Sequence, residues 1–179
     1  MPELPEVETV RRTLSDVLIG KKIERVDVRY ENIIKNISAK DFSSSLIGET
    51  FIDIKRKGKH LIFVLDNYYM IAHLRMEGKY FLMHDEELSK HDHIIFYFSD
   101  SNLRYNDVRK FGTIHLFSKK TYPNISDLER LEPLSSVGIE PFEMDKKDLY
   151  KYTCKSHKHI KTLLLDQSIM CGLGNIYVQ

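Results

Sequence analysis

Apolar residues recur at Val7, Val10, Leu14 and Val17/Leu18, a spacing of three and four that lays one stripe along a helix. The pattern predicts a helix over 5–19. Pro5 suits its first turn, Glu6 and Glu8 sit near the positive end of the dipole, and Gly20 ends it. Residues 23–30 alternate instead, with Val26, Val28 and Tyr30 in step, and predict a strand. A short helix is expected over 38–46, with Ser38 as N-cap and Gly48 as stop. From 49 to 119 the pattern becomes a run of short strands, over 50–56, 61–65, 68–74, 79–83, 93–98, 103–107 and 113–118. Lys57-Gly58, Asp66-Asn67, Glu77-Gly78, Asp100-Ser101-Asn102 and Phe111-Gly112 punctuate the run as turns. Short strands at this spacing imply an antiparallel β-sandwich or barrel.

Beyond residue 121 the pattern changes again. Pro123, Pro133 and Pro141 mark a linker over 122–141 around a short helix near 126–131, and helices follow over 145–154 and 159–166. The last eight residues, Gly172-Leu173-Gly174-Asn175-Ile176-Tyr177-Val178-Gln179, read as a turn opening a new helix, with no stop signal or cap. The ending reads as that of a shortened protein. The fold expected is α+β: an N-terminal antiparallel β-sandwich flanked by helices over 1–121, then a linker and the start of a helical domain over 122–179.

Composition narrows the function classes. The 179 residues are 42% hydrophobic and 30% charged, which allows a packed domain with an appendage and excludes wholesale disorder. No apolar run approaches the roughly 20 residues of a membrane-spanning helix, and the acidic opening lacks the features of a signal peptide. A cytoplasmic protein without a membrane partner is therefore expected. Cys154 and Cys171 are too few for a four-thiolate zinc site and read as plain thiols. The net charge of +1 says little about nucleic acid, because phosphate binding needs a local basic face. Basic clusters lie over 55–60, 104–110 and 151–161, each of which alone reads as a solvated face.

The chemistry begins at Met1-Pro2. Methionine before proline is normally removed, which exposes Pro2 as a secondary amine. An N-terminal amine has a pKa near ~8, so a useful fraction is nucleophilic at neutral pH and can condense with a sugar carbon to an iminium. Glu3 and Glu6 lie beside it and can exchange protons. Met-Pro opens many proteins, and the dipeptide alone decides nothing. A tautomerase using Pro2 as general base is opposed by the β-rich pattern and by the length.

The stretch Pro2-Glu3-Leu4-Pro5-Glu6-Val7-Glu8-Thr9-Val10-Arg11-Arg12 resembles the N-terminal signature of the formamidopyrimidine-DNA glycosylase/endonuclease VIII family. Four more segments match in order: Arg56 to Leu61, His73 to Tyr80, Arg104 to Gly112, and Leu163 to Gln167 through Gly172 to Tyr177. Phe111 in Arg-Lys-Phe-Gly favours the formamidopyrimidine branch. The resemblance implies a base-excision glycosylase with lyase activity on oxidised purines such as 8-oxoguanine and formamidopyrimidine, acting on damaged double-stranded DNA. It implies that Pro2 attacks C1′ of the damaged nucleoside, that Glu3 moves protons, that Glu6 arranges the site and that Lys59 pairs with phosphate or lesion. It makes His73 a phosphate contact and Glu77 a neighbour of the damaged base. Met76, Arg109 and Phe111 become a wedge that fills the gap left by an everted nucleotide. Asn175 then belongs to the first half of a helix–two-turn–helix DNA-binding element.

Family members normally continue into a second long helix and a zinc or zincless finger. These 179 residues contain no counterpart, so neither zinc nor any other cofactor is implied. Weakened DNA affinity and turnover follow as expectations, as does self-association through the face the missing helices would cover. The competing expectation is a catalytically weak or silent homologue that only binds damaged DNA.

Overall fold

The computed structural model describes residues Met1–Gln179. Helix α1 (Leu4–Leu18) buries Val7, Leu14 and Leu18 of the expected stripe and adds Leu4, while Val10 is half-buried. After it come β1 (Arg25–Val28), α2 (Ala39–Leu46), β2 (Phe51–Lys57), β3 (His60–Leu65), β4 (Tyr68–His73), β5 (Lys79–Met83), β6 (Asp92–Tyr97), β7 (Asn102–Asn106) and β8 (Thr113–Ser118). Two short helices, α3 (Lys146–Cys154) and α4 (Ile160–Leu164), close the chain. The Ser38 hydroxyl caps α2 by accepting from the Asp41 amide at 3.1 Å.

The strands form two antiparallel four-stranded sheets, ordered β1-β6-β7-β5 and β2-β3-β4-β8. Their facing sides, α1 and α2 enclose one core of 24 buried residues. Phe51 sits at its centre, edge-on to Phe63, Phe96 and Phe98. The strand expected over 23–30 contracts to four residues for a local reason. The Ile23 backbone pairs with Glu49 and Gly48, so the start of that segment serves the α2–β2 connection instead of the sheet.

The stretch expected as a linker is docked. Its apolar residues Ile125, Leu128, Leu131 and Leu134 lie on the outer face of β3 and β4 against Ile62, Tyr69 and Ile71. This cover explains why β3 and β4 are buried on both faces and read as near-continuous apolar runs. The new helix expected at the end is a single turn, closed by Val178 N–H to the Gly174 carbonyl at 3.2 Å. No helix is long and apolar enough to cross a membrane.

An ionic cluster ties the layers together. Arg56 on β2 bonds Glu8 of α1 at 3.2 Å and Glu140 at 2.9 Å, and Arg11 joins Glu8 at 2.8 Å. The three arginines around it, Arg11 foremost, hold the Glu8 carboxyl down at about 2 despite its burial. Arg12 reaches the same carboxylate from a largely exposed position.

Truncating Phe63 to alanine is expected to cost about 3–5 kcal/mol of unfolding free energy. Arg56→Ala should cost about 3 kcal/mol because it leaves the buried Glu140 carboxylate without its cation while Glu8 keeps Arg11, and Arg12→Ala under about 1 kcal/mol. Urea denaturation of the three variants checks the order.

Candidate active site

The N-terminus is held by the far end of the chain. Glu3 is buried, and its carboxylate accepts the backbone N–H of Ile176 at 2.8 Å and of Tyr177 at 3.3 Å. Its own N–H donates to Glu6 Oε2 at 2.9 Å, and the Tyr177 hydroxyl donates to Glu6 Oε1 at 2.8 Å. Next to it, the Leu4 N–H donates to the Gly172 carbonyl at 2.9 Å. A Cβ on residue 174 would lie 2.4 Å from the Glu3 carboxyl carbon, so only glycine lets this backbone come so close. Burial pushes the Glu6 carboxyl up, but the Tyr177 hydroxyl and the Glu3 amide outweigh it and bring Glu6 below its usual range. Both carboxylates therefore stand beside Pro2 with their geometry set by backbone and phenol.

Lys59 occupies the turn between β2 and β3 and is buried. Burial lowers its pKa while the Glu3 carboxylate raises it, and it makes no hydrogen bond or ion pair within the protein. The turn is fixed by Glu140, whose Oε1 accepts the Gly58 N–H at 2.6 Å. Arg56 is committed to this anchoring and is no free phosphate ligand. Arg104 corrects the expectation of a solvated basic face over 104–110 in the same way. It is buried, paired with Asp92 at 3.3 Å and bonded to Asn102 at 2.7 Å.

A cavity of about 370 Å³ opens between α1 and the β4–β5 turn, lined by Pro2, Glu6, Met76 and Glu77 together with Val10 and Tyr80. The structure thus brings four of the expected residues around one space. His73, at the end of β4, is buried edge-on to His60, with ring centroids 4.6 Å apart. Its Nδ1 accepts the Arg75 N–H at 2.9 Å, which leaves Nε2 as the protonated donor. Burial depresses His60 to about 4 and His73 to about 3, so both are neutral at pH 7. Asn175 is exposed on the turn that clamps Glu3, and its side chain makes no hydrogen bond.

Arg109 and Phe111 stand outside the cavity on the β7–β8 turn. The Arg109 guanidinium lies 4.8 Å over the Phe111 ring, and Phe111 and Met76 are both exposed large apolar groups. Lys110, between the two, has φ 59°, as Arg75 beside Met76 has φ 55°. Sequence reasoning missed what holds this turn. Buried Asp107 accepts Arg109 N–H at 3.0 Å, Gly112 N–H at 2.8 Å and the Tyr105 hydroxyl at 3.2 Å. The signal was present, since an aspartate two residues before a turn amide is the pattern of an Asx turn. The Tyr177 hydroxyl and the two amides on Glu3 left no such signal, because their partner lies over 170 residues away. Cys171 is buried with its thiol pushed up to about 11 and Cys154 is exposed, and no three His, Cys, Asp or Glu side chains converge to hold a metal.

The profile of the formamidopyrimidine-DNA glycosylase N-terminal domain matches residues 1–114. A formamidopyrimidine-DNA glycosylase of Halalkalibacterium halodurans is 50% identical over 184 residues, covering 99% of this chain and 65% of its own length. One of Bacillus licheniformis is 51% identical over 183 residues, covering 99% and 64%. The chain thus spans about two-thirds, and slightly less, of the curated relatives it matches. Among solved structures, the Lactococcus lactis Fpg protein in complex with abasic-site DNA superposes with TM-score 0.87 at 42% identity, covering 98% of this chain and 64% of that one. The same protein with DNA containing an oxidised pyrimidine gives the same score and identity.

The two buried imidazoles predict a pH dependence. Their folded pKa values lie below the ordinary 6.5, so the unfolded chain binds more protons. The stability they contribute is complete above about pH 6.5 and is lost as pH falls toward about 4 and then 3, at up to about 1.4 kcal/mol per pH unit for each. Urea denaturation at pH 7 and pH 5 should show the loss, and His60→Phe should flatten the slope. An unchanged slope would contradict the assignment.

Proposed function

The chain belongs to the formamidopyrimidine-DNA glycosylase family, and on that premise we propose that it excises damaged bases from double-stranded DNA with Pro2 as nucleophile. The observation that carries the reading is the clamp on Glu3, which sets the residue next to Pro2 against a fixed backbone, beside a cavity that Pro2 itself lines. Enzymes gain most from groups held in place before the reaction begins.

In the proposed reaction the Pro2 nitrogen bonds to C1′ of an everted nucleotide as the glycosidic bond breaks. The base leaves with the electron pair and takes up a proton. Glu3 takes the proton that the Pro2 nitrogen sheds on bonding to C1′ and passes it to the ring oxygen as the sugar opens, which leaves an iminium on Pro2. The iminium acidifies C2′, and loss of that proton expels the 3′ phosphate and cuts the strand. Lys59 places a positive charge against phosphate or lesion, and Glu6 keeps a negative charge beside the Pro2 amine. Glu77 borders the damaged base at the cavity mouth. His73 donates from Nε2 to a phosphate, and the exposed amide of Asn175 bonds a second one. Met76 and Phe111 replace the lost stacking, and Arg109 bonds the unpaired partner base. The substrate class is oxidised purines. The Lactococcus lactis complexes extend the candidates to abasic sites and oxidised pyrimidines. The division into a catalytic unit over 1–121 and a DNA-binding unit over 122–179 is part of this proposal.

The competing reading is a binding-only role, which a retained Met1 imposes by tying the Pro2 nitrogen into an amide; the internal ion pairs of Arg56 and Arg104 thin the phosphate-binding face under either reading. Borohydride trapping separates the readings. Abasic duplex should yield a covalent adduct with protein that begins at Pro2. A form keeping Met1 has an amide there, its amine displaced by about 3.8 Å, and should trap at least about 100-fold less. Gel-shift binding without any adduct from the processed protein would establish the binding-only role.

A further inference from the structure

Two exposed turns carry Met76 and the Arg109/Phe111 pair, and both close on one phenol. A Cβ added at Gly78 would lie 2.5 Å from the Tyr105 hydroxyl, and one added at Gly112 would lie 1.6 Å from it. The hydroxyl therefore rests against the backbones of both turns at once. It also donates to Asp107 Oδ2 at 3.2 Å, the oxygen that accepts the Gly112 N–H at 2.8 Å, while Oδ1 holds the Arg109 N–H at 3.0 Å. Behind them, His93 Nε2 bonds the Asp107 carbonyl at 2.7 Å, which ties the group to β6. Tyr105 and Asp107 are both fully buried, and neither lines the cavity at Pro2.

We propose that Tyr105 and Asp107 form a latch that makes the two turns one rigid wedge, and that its task is extrusion of the nucleotide and not the chemistry at Pro2. The inference rests on the reading above and adds a positioning pair to it. Extruding a base costs a few kcal/mol of stacking and pairing, and the inserted side chains must return it. Two turns that moved independently would each lose conformational freedom on insertion, which subtracts from that return. Turns already locked to a common group have little left to lose. Burial, together with the Tyr80 phenol and the Asp107 carboxylate, pushes the Tyr105 phenol up, so it stays protonated and remains a donor. The ring itself is set by Tyr80, 5.2 Å away between centroids.

The test uses two substrates: a duplex carrying a ring-opened purine, and a single strand carrying a preformed abasic site, from which nothing has to be extruded. Tyr105→Phe keeps the ring and removes only the latch hydroxyl. Excision from the duplex should fall about tenfold, while borohydride trapping on the abasic strand stays within about twofold of the parent. Asp107→Asn should repeat the split, and thermal melting identifies any variant that fails to fold. Equal losses on the two substrates, or no loss on either, would overturn the latch. If the parent chain traps nothing on the abasic strand, the reading of Pro2 fails by itself. The latch is then judged by 2-aminopurine fluorescence in a duplex, where the parent should raise the signal and Tyr105→Phe should raise it several-fold less.

Discussion

The contact between the Glu3 carboxylate and the amides of Ile176 and Tyr177 is the constraint on which the rest of the site depends. A chain terminus is ordinarily among the least ordered parts of a protein. Here the first helix begins at a residue whose side chain is bonded to backbone more than 170 positions away. Two amides on one carboxylate are charge-assisted bonds, and their burial strengthens them. Gly174 permits the approach, Tyr177 extends it to Glu6, and Gln167 supports the loop by bonding the Gly172 N–H and the Leu173 carbonyl. Helix α1 then carries Glu6, Thr9 and Val10, with Pro2 just ahead of its first turn, along the cavity.

The β-sandwich supplies a second set of fixed points. The Arg56 cluster holds the turn of Lys59, the His73 ring holds the start of the Met76 turn, and Asp107 holds the Arg109 turn. Each of these anchors is a buried or half-buried polar group bonded to the turn it holds, which is how a core tolerates polar groups. Side chains that face outward from the same turns, Met76, Arg109 and Phe111, are left without partners of comparable strength. A protein that buries its anchors and exposes its large apolar tips has arranged those tips for contact with something else.

Much of this was legible in the sequence. The stripe at Val7, Leu14 and Leu18 located α1, and seven β-strands from β2 to β8 lie within a residue or two of where alternation and turn residues placed them. The α+β sandwich followed from that spacing, and family motifs singled out the residues around the cavity. What could not be read was anything set by long-range partners. The basic run from Arg104 to Lys110 looked solvated, yet Arg104 turns inward because Asp92 lies across the sheet from it. The proline-rich stretch looked like a free linker, yet Ile125 to Leu134 covers a sheet face that local pattern does not reveal. Residues 172–179 promised a helix, but the backbone there is engaged by Glu3 and Leu4 and makes one turn.

The most direct measurement is the chemical identity of the residue that holds the sugar. Protein reduced with borohydride on abasic DNA, digested and read by mass spectrometry, should carry the deoxyribose remnant on the peptide that begins at Pro2, with the added mass on the proline nitrogen. A remnant on the Lys59 side chain, or on any other lysine, would contradict the account.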